Sequence, residues 1–268
     1  MTARIQQLNE ITSNQIAAGE VVERPASIVK ELVENSLDAG ATNISVRVEQ
    51  GGVKRIVVQD NGAGIDAADL RLALSRHATS KIQRAEDLDG VQTLGFRGEA
   101  LASSASVARL TLCSKNGDAD AVALVVEGGV ELDRGPRAHP QGTTVTVEDL
   151  FYNTPARRKF LKTERTELSH IETTLRRLAL AHFETGFSLS HGSRQLITLP
   201  PCTDAAGRAR RVGEILGAGF VENAQLIDES NAGLRIWGWI GDPTYTRAQA
   251  TGQFFFVNGR SVRDKLIG

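Results

Sequence analysis

Apolar residues Ile28, Val29, Leu32 and Val33 recur at helical spacing in a stretch that Pro25 opens and Gly40 closes, which predicts a helix with one apolar stripe. The period then changes. Asn43 to Val48 alternates as a half-buried strand, Gly51-Gly52 turns the chain, and Lys54 to Gln59 returns as an apolar partner, an antiparallel hairpin. Asp66 to His77 reads as a helix capped by Asp66, whereas Thr79 to Leu94 has no clear period and reads as a lid or a mobile surface loop. Further strands are expected near Ala108–Cys113, Ala121–Val126 and Thr143–Val147. The stripe Leu168, Ile171, Leu175, Leu178 and Ala179 predicts a helix covering one sheet face. Phe187–His191 and Gln195–Ile197 read as another hairpin.

After Pro200-Pro201 the composition shifts to a polar, Ala- and Gly-containing linker, which divides the chain into domains at 1–204 and 205–268. The second part reads as a short helix, Arg210–Leu216, with strands at Ala224–Asp228, Leu234–Ile240 and Gln253–Val257 and a turn at Asn258-Gly259. Trp237 and Trp239 fall on one strand face and are expected in a core. The fold class is α+β. With 268 residues a sizeable core can form, and no apolar run is long enough to span a bilayer. The start lacks a signal-peptide pattern and Cys113 and Cys202 lack ligand-spaced neighbours, so a reduced, cytoplasmic setting without zinc is expected.

Chemistry gathers on the polar side of the first predicted helix, where Glu31, Asn35 and Asp38 share a stripe roughly 60° wide. A carboxylate there can activate water, and the Asn35 amide oxygen suits Mg²⁺ beside phosphates. The plain alternative is a solvated face. Asp60 stands where its strand ends in a glycine turn; Gly62 and Gly64 permit close ligand approach, leaving Asp60 to accept from an adenine amino group. Gly95-Phe96-Arg97-Gly98-Glu99-Ala100-Leu101 runs from a glycine turn into a helix start that can hold phosphate oxygens. Thr143, opening a strand, is a weaker fourth element. Together the four point to ATP.

The formal charge of −1 gives no overall attraction to nucleic acid. Local basic groups at Arg157, Arg158, Lys159 and Lys162, at Arg208, Arg210 and Arg211, and at Arg260, Arg263 and Lys265 are candidates for sequence-tolerant phosphate contact. The scattered histidines form no ligand set, and Ser103, Ser104 and Ser106 look like helix-packing residues.

These nucleotide elements resemble the four motifs of the ATPase superfamily that joins Hsp90, type II topoisomerase ATPase subunits, histidine kinases and the MutL family of DNA mismatch repair proteins. Asn14 to Pro25, Arg76-His-Ala-Thr79-Ser80-Lys81, Gly95 to Leu101, Phe151 to Lys159 and Val257-Asn-Gly-Arg260 resemble the MutL family in particular, over essentially the whole chain. The resemblance implies a two-layer α/β sandwich of the Bergerat type, followed by a partial domain like ribosomal protein S5 domain 2. It implies Mg²⁺ and ATP as ligands, with Glu31 as general base, Asn35 as metal ligand, and Asp38, Asp60, Gly62, Gly64, Thr79, Ser80, Lys81, Gly95 to Leu101 and Thr143 around the nucleotide. It also implies lid closure coupled to N-terminal dimerisation, DNA binding, a MutS-like mismatch-recognition partner and a downstream nuclease or helicase. A phosphate-binding lysine of the family has no counterpart before Gly268, so the chain reads as an N-terminal fragment with weak turnover. The alternatives are another ATPase of the superfamily, of chaperone or topoisomerase type, and a DNA-binding module whose ATP site is inert. A kinase has no use for a water-activating carboxylate at Glu31.

Overall fold

The computed structural model describes residues 9–82, 84–90, 93–95, 97–242 and 252–262. Helix α1 (Glu10–Val21) begins at Asn9, whose side chain accepts from the Thr12 amide at 2.8 Å. Helix α2 (Pro25–Asp38) follows the predicted stripe. Pro25 takes an opening position where no amide donor is needed, and Ile28, Val29, Leu32 and Val33 are buried. Strands β1 (Asn43–Glu49) and β2 (Arg55–Asp60) form the predicted hairpin, with Val46 opposite Val58.

The expected Asp66–His77 helix shrinks to one turn, α3 (Leu70–Ala73). Asp66 does not cap it: its carboxylate accepts from Asn116 Nδ2 at 2.9 Å, and Leu70 alone in the turn is buried, too little apolar surface to hold a longer helix. Helix α4 (Ala100–Val107) is followed by β3 (Arg109–Lys115), β4 (Val122–Glu127), β5 (Val130–Pro136) and β6 (Gly142–Glu148). A short α5 (Pro155–Arg158) leads to α6 (Glu164–Ala181) and the hairpin β7 (Gly186–His191) and β8 (Arg194–Leu199).

These eight strands make one mixed sheet in the order β5-β4-β3-β6-β2-β1-β7-β8. The β1–β7 pair runs parallel and the other pairs antiparallel. Alternate residues on one face, among them Ile44, Val46, Ile56, Val58, Leu110, Leu112, Val145 and Val147, join the stripes of α2 and α6 in a single core. Thus α2 lies across the sheet with its polar edge beside the end of β2.

The rest is α7 (Ala205–Leu216), α8 (Ala218–Glu222), the hairpin β9 (Ala224–Asn231) and β10 (Leu234–Gly241), and the short pair β11 (Phe255–Val257) and β12 (Arg260–Val262). Helix α7 starts five residues before the predicted position, because the Asp204 carboxylate caps it by accepting from Gly207 N at 2.6 Å. Leu180, Phe183, Cys202 and Val212 form a second, smaller cluster against which Trp239, Phe254 and Phe256 pack. Trp239 fits the expected core role. Trp237 is 39% exposed, with the Arg208 and Arg235 guanidinium groups near its ring.

Arg211 departs furthest from its expected place on a basic surface. It is 2% exposed, and its guanidinium donates to the carbonyls of Ala179 and His182 at the end of α6 and to those of Thr185 and Pro200. A cation is well suited there, where helix carbonyls lack intrahelical donors. Among the described residues no helix is long and apolar enough to cross a membrane.

Candidate active site

The polar edge of α2 carries two clusters. In the first, the Asp60 carboxylate at the end of β2 is 8% exposed. Oδ1 accepts from Gly62 N at 2.9 Å and from Thr143 N at 3.2 Å, and Oδ2 accepts from Ser36 Oγ at 2.7 Å. Oδ2 thus keeps capacity for a further donor. Ser114 extends the network, lying 2.8 Å from Thr143 Oγ1 and accepting from Ile65 N at 2.8 Å. The structure therefore unites Asp60, Gly62 and Thr143 as expected and adds Ser36 and Ser114. Ser36 had a signal: it is the residue after Asn35 on the same helix.

Gly62 and Gly64 are also required as glycines by the packing of the backbone around them. A Cβ on Gly62 would lie 2.8 Å from the Ala39 carbonyl oxygen, and one on Gly64, where φ is 80°, 2.0 Å from that of Lys115. The turn is tight against α2 and β3, so backbone contact sets its sequence.

At the other cluster, the Lys81 ammonium donates to Asn35 Oδ1 at 2.9 Å and to Asp38 Oδ2 at 2.5 Å. Asp38 also accepts from the amides of Leu94 and Gly95, at 2.8 and 3.1 Å. A Cβ on Gly95 would face Lys81 Nζ at 3.3 Å and Asn35 Oδ1 at 3.7 Å. Asn35, Asp38, Lys81 and Gly95 are therefore one group, although the last two lie more than forty residues along the chain from the first two. A cation already rests on the Asn35 amide oxygen and the Asp38 carboxylate, so this donor set fits a hard cation such as Mg²⁺. Thr79 Oγ1 accepts from Lys81 N at 3.2 Å and shapes the approach.

Glu31, one turn before Asn35, is not joined to that group. Its carboxylate lies 3.0 Å from Lys30 Nζ, which also reaches Glu34 at 2.8 Å. Burial pushes the Glu34 carboxyl above its ordinary value, against the pull of Lys30. Glu99 lies at the start of α4, 3.6 Å from Arg76 Nη2 and 3.5 Å from His77 Nδ1, so it faces basic residues. Gly98 has φ 61°, and a Cβ there would overlap the Ala78 carbonyl, which ties this turn to the 76–81 stretch. Ala100 opens α4 and Leu101 packs against the main core. Ser80 and Arg97 belong to the loops beside the Lys81 group; Phe96 lies outside the described residues.

The basic groups separate. Arg158 and Lys159 are exposed at the end of α5, whereas Arg157 donates from Nη2 to the Ile16 carbonyl at 3.0 Å and fastens α1. Arg260 is part-buried, and its Nη2 donates to the Thr93 carbonyl. Arg263 and Lys265 lie outside the described residues.

Comparison with known proteins matches residues 23–127 to the family described as histidine kinase-, DNA gyrase B-, and HSP90-like ATPase. Residues 212–268 match the family described as DNA mismatch repair protein, C-terminal domain. The DNA mismatch repair protein MutL of Pseudomonas entomophila (strain L48) is 60% identical over 267 residues, 99% of this chain and 42% of that protein. MutL of Azotobacter vinelandii (strain DJ / ATCC BAA-1303) is 57% identical over 99% of this chain and 42% of its own length. The chain thus spans about two-fifths of the length of these curated relatives. Among solved structures, the Aquifex aeolicus MutL ATPase domain complexed with ADP is 31% identical and superposes with a TM-score of 0.68, covering 92% of this chain and 86% of that one.

Proposed function

The chain belongs to the MutL family of DNA mismatch repair proteins, and from that premise we propose that it binds and hydrolyses Mg·ATP as the switch of a repair protein. One observation carries the proposal. A single helix, α2, presents a buried, partly satisfied carboxylate partner at Ser36–Asp60 and a cation-bearing oxygen pair at Asn35 and Asp38. The first suits the exocyclic amine of adenine, the second a phosphate-bound metal ion.

In this reading Asp60 accepts from adenine while Ser36, Gly62 and Thr143 hold the carboxylate in place. Asn35 would hold Mg²⁺, which supplies charge neutralisation on the phosphates. Lys81, released from Asn35, turns toward phosphate oxygens. Glu31, released from Lys30, orients and deprotonates the attacking water. The Thr79–Lys81 and Gly95–Leu101 stretches close over the phosphates, and that closure drives pairing of two N-terminal domains.

The same reading divides the chain at about residue 204, the second part being like ribosomal protein S5 domain 2. It places the protein in the cytoplasm, with sequence-tolerant contact to DNA through Arg158 and Lys159 among the exposed basic residues, and with a mismatch-recognition protein and a nuclease or helicase as partners. ATP turnover by the full-length protein, together with salt-sensitive binding of unrelated duplexes, tests both halves. A protein that neither turns over ATP nor binds it contradicts the switch.

A further inference from the structure

We propose that the β11–β12 turn, Asn258-Gly259-Arg260, is a latch that sets the position of the Thr93–Gly95 segment in the active site, with Arg260 and His182 as positioning residues. The inference rests on the reading of that segment as a wall of the nucleotide site.

The segment is held from two sides. On one side, the amides of Leu94 and Gly95 both donate to the Asp38 carboxylate, at 2.8 and 3.1 Å, the carboxylate that also receives Lys81. Within it, Thr93 Oγ1 donates to the Gly95 carbonyl at 2.8 Å, which stiffens the bend. On the other side, Arg260 donates to the Thr93 carbonyl. Thr93 and Arg260 are separated by 167 residues of sequence, and this bond joins the β11–β12 pair to the site built on the large sheet.

The turn itself is closely fitted. Asn258 and Gly259 have φ of 50° and 78°, a two-residue turn with both residues left-handed, which directs Arg260 back along β12. A Cβ on Gly259 would lie 3.0 Å from His182 Cε1 and 3.9 Å from Leu94 Cδ2. His182 is the C-cap of α6, its amide bonded to Leu178 O, and the same residue offers its carbonyl to Arg211 at 3.0 Å. The turn therefore rests on a fixed support. Burial keeps the His182 imidazole below its ordinary value, while the Asp38 charge acts in the other direction.

The consequence is mechanical. If the turn withdraws, Thr93 loses its anchor and Leu94 its packing partner, and two of the three donors to Asp38 among the described residues come from that segment. Asp38 and Lys81 would then lose the arrangement that also sets Asn35. A shift of the C-terminal part can thus reach the phosphate end of the site without touching Asp60.

The test uses the full-length protein without nucleotide and reads amide exchange at Leu94 and Gly95. Arg260→Ala should speed both by about 3- to 10-fold, the scale of one hydrogen bond, and leave the amides of β1 and β2 at the parent rate. Arg260→Lys, which keeps a donor, should restore part of the protection. Gly259→Ala should mimic Arg260→Ala, and adding His182→Ala should reverse part of that effect by making room for the methyl group. ATP affinity should fall in step with protection, with KM changing more than kcat.

Unchanged exchange at Leu94 and Gly95 in Arg260→Ala would overturn the latch, and so would an equal rise throughout β1 and β2, which signals general destabilisation. The two proposals separate cleanly. Faster exchange in a protein that does not bind ATP keeps the latch and refutes the nucleotide reading; ATP binding with parental exchange does the reverse.

Discussion

The two clusters gathered at the last turn of α2 are made of different material. In the Asp60 cluster, the carboxylate belongs to the last residue of a core strand, and its donors come from α2, the glycine turn and the start of β6. In the Asn35–Asp38 cluster, the partners are a lysine and two amides from the long polar stretch after α3. One cluster is fixed when the core folds. The other is held by charged contacts that ligand phosphates can compete for. Under the proposed function, a site so divided would recognise the base by a preformed pocket and respond to phosphate by rearrangement.

Glu31→Ala gives the largest expected effect, because it removes the proposed general base without entering either cluster. Turnover in the full-length protein should fall by roughly 10²- to 10⁴-fold while Mg·ATP binding is nearly retained. Equal kcat for variant and parent would take Glu31 out of the mechanism. Asp60→Asn comes next and attacks the preformed cluster alone. The amide oxygen can still accept from Gly62 and Thr143, and Ser36 can still donate to the Leu32 carbonyl, 3.1 Å away, so the fold should survive. Adenine, however, would meet a donor in place of an acceptor, and ATP affinity should drop by about 10- to 100-fold. Calorimetric titration checks it, and undiminished affinity would separate Asp60 from the base. The smallest change is expected from Ser36→Ala, which removes one donor from a buried carboxylate. Thermal unfolding should report a loss of about 1 kcal/mol, and ATP affinity should fall by about 3- to 10-fold, far less than for Asp60→Asn. A larger effect in Ser36→Ala than in Asp60→Asn would invert the comparison.

The same contrast explains what could be read in the chain itself. Helix α2, the β1–β2 hairpin and α6 declare themselves by period, since each buries one continuous face in the main core. Asp60 was legible because a charged residue closes an apolar strand beside glycines. Strand β5 was not, since Val130-Glu131-Leu132-Asp133 alternates over four residues only, and at the sheet edge its apolar members stay exposed, Val130 at 50% and Leu132 at 61%. The start of α7 was hidden because Ala205 to Arg208 resembles a linker in composition, and only the spacing from Asp204 to Gly207 marks the cap. Arg211 sat in a run that looks like basic surface, and its burial depends on carbonyls released by the end of α6. Hydroxyls such as Ser36 and Ser114 act through partners 24 and 29 residues away, which no local pattern displays.

The central claim is that the buried cluster reads adenine while the loop-held cluster answers to phosphate. Following the amide resonances of Gly62, Thr143, Leu94 and Gly95 during titration with Mg·ATP and with Mg·GTP tests it most directly. The account predicts that Mg·ATP shifts all four at low concentration, and that Mg·GTP, which has no exocyclic amine to donate at the Asp60 position, shifts them only at far higher concentration. Equal potency of the two nucleotides at Gly62 and Thr143 would contradict it.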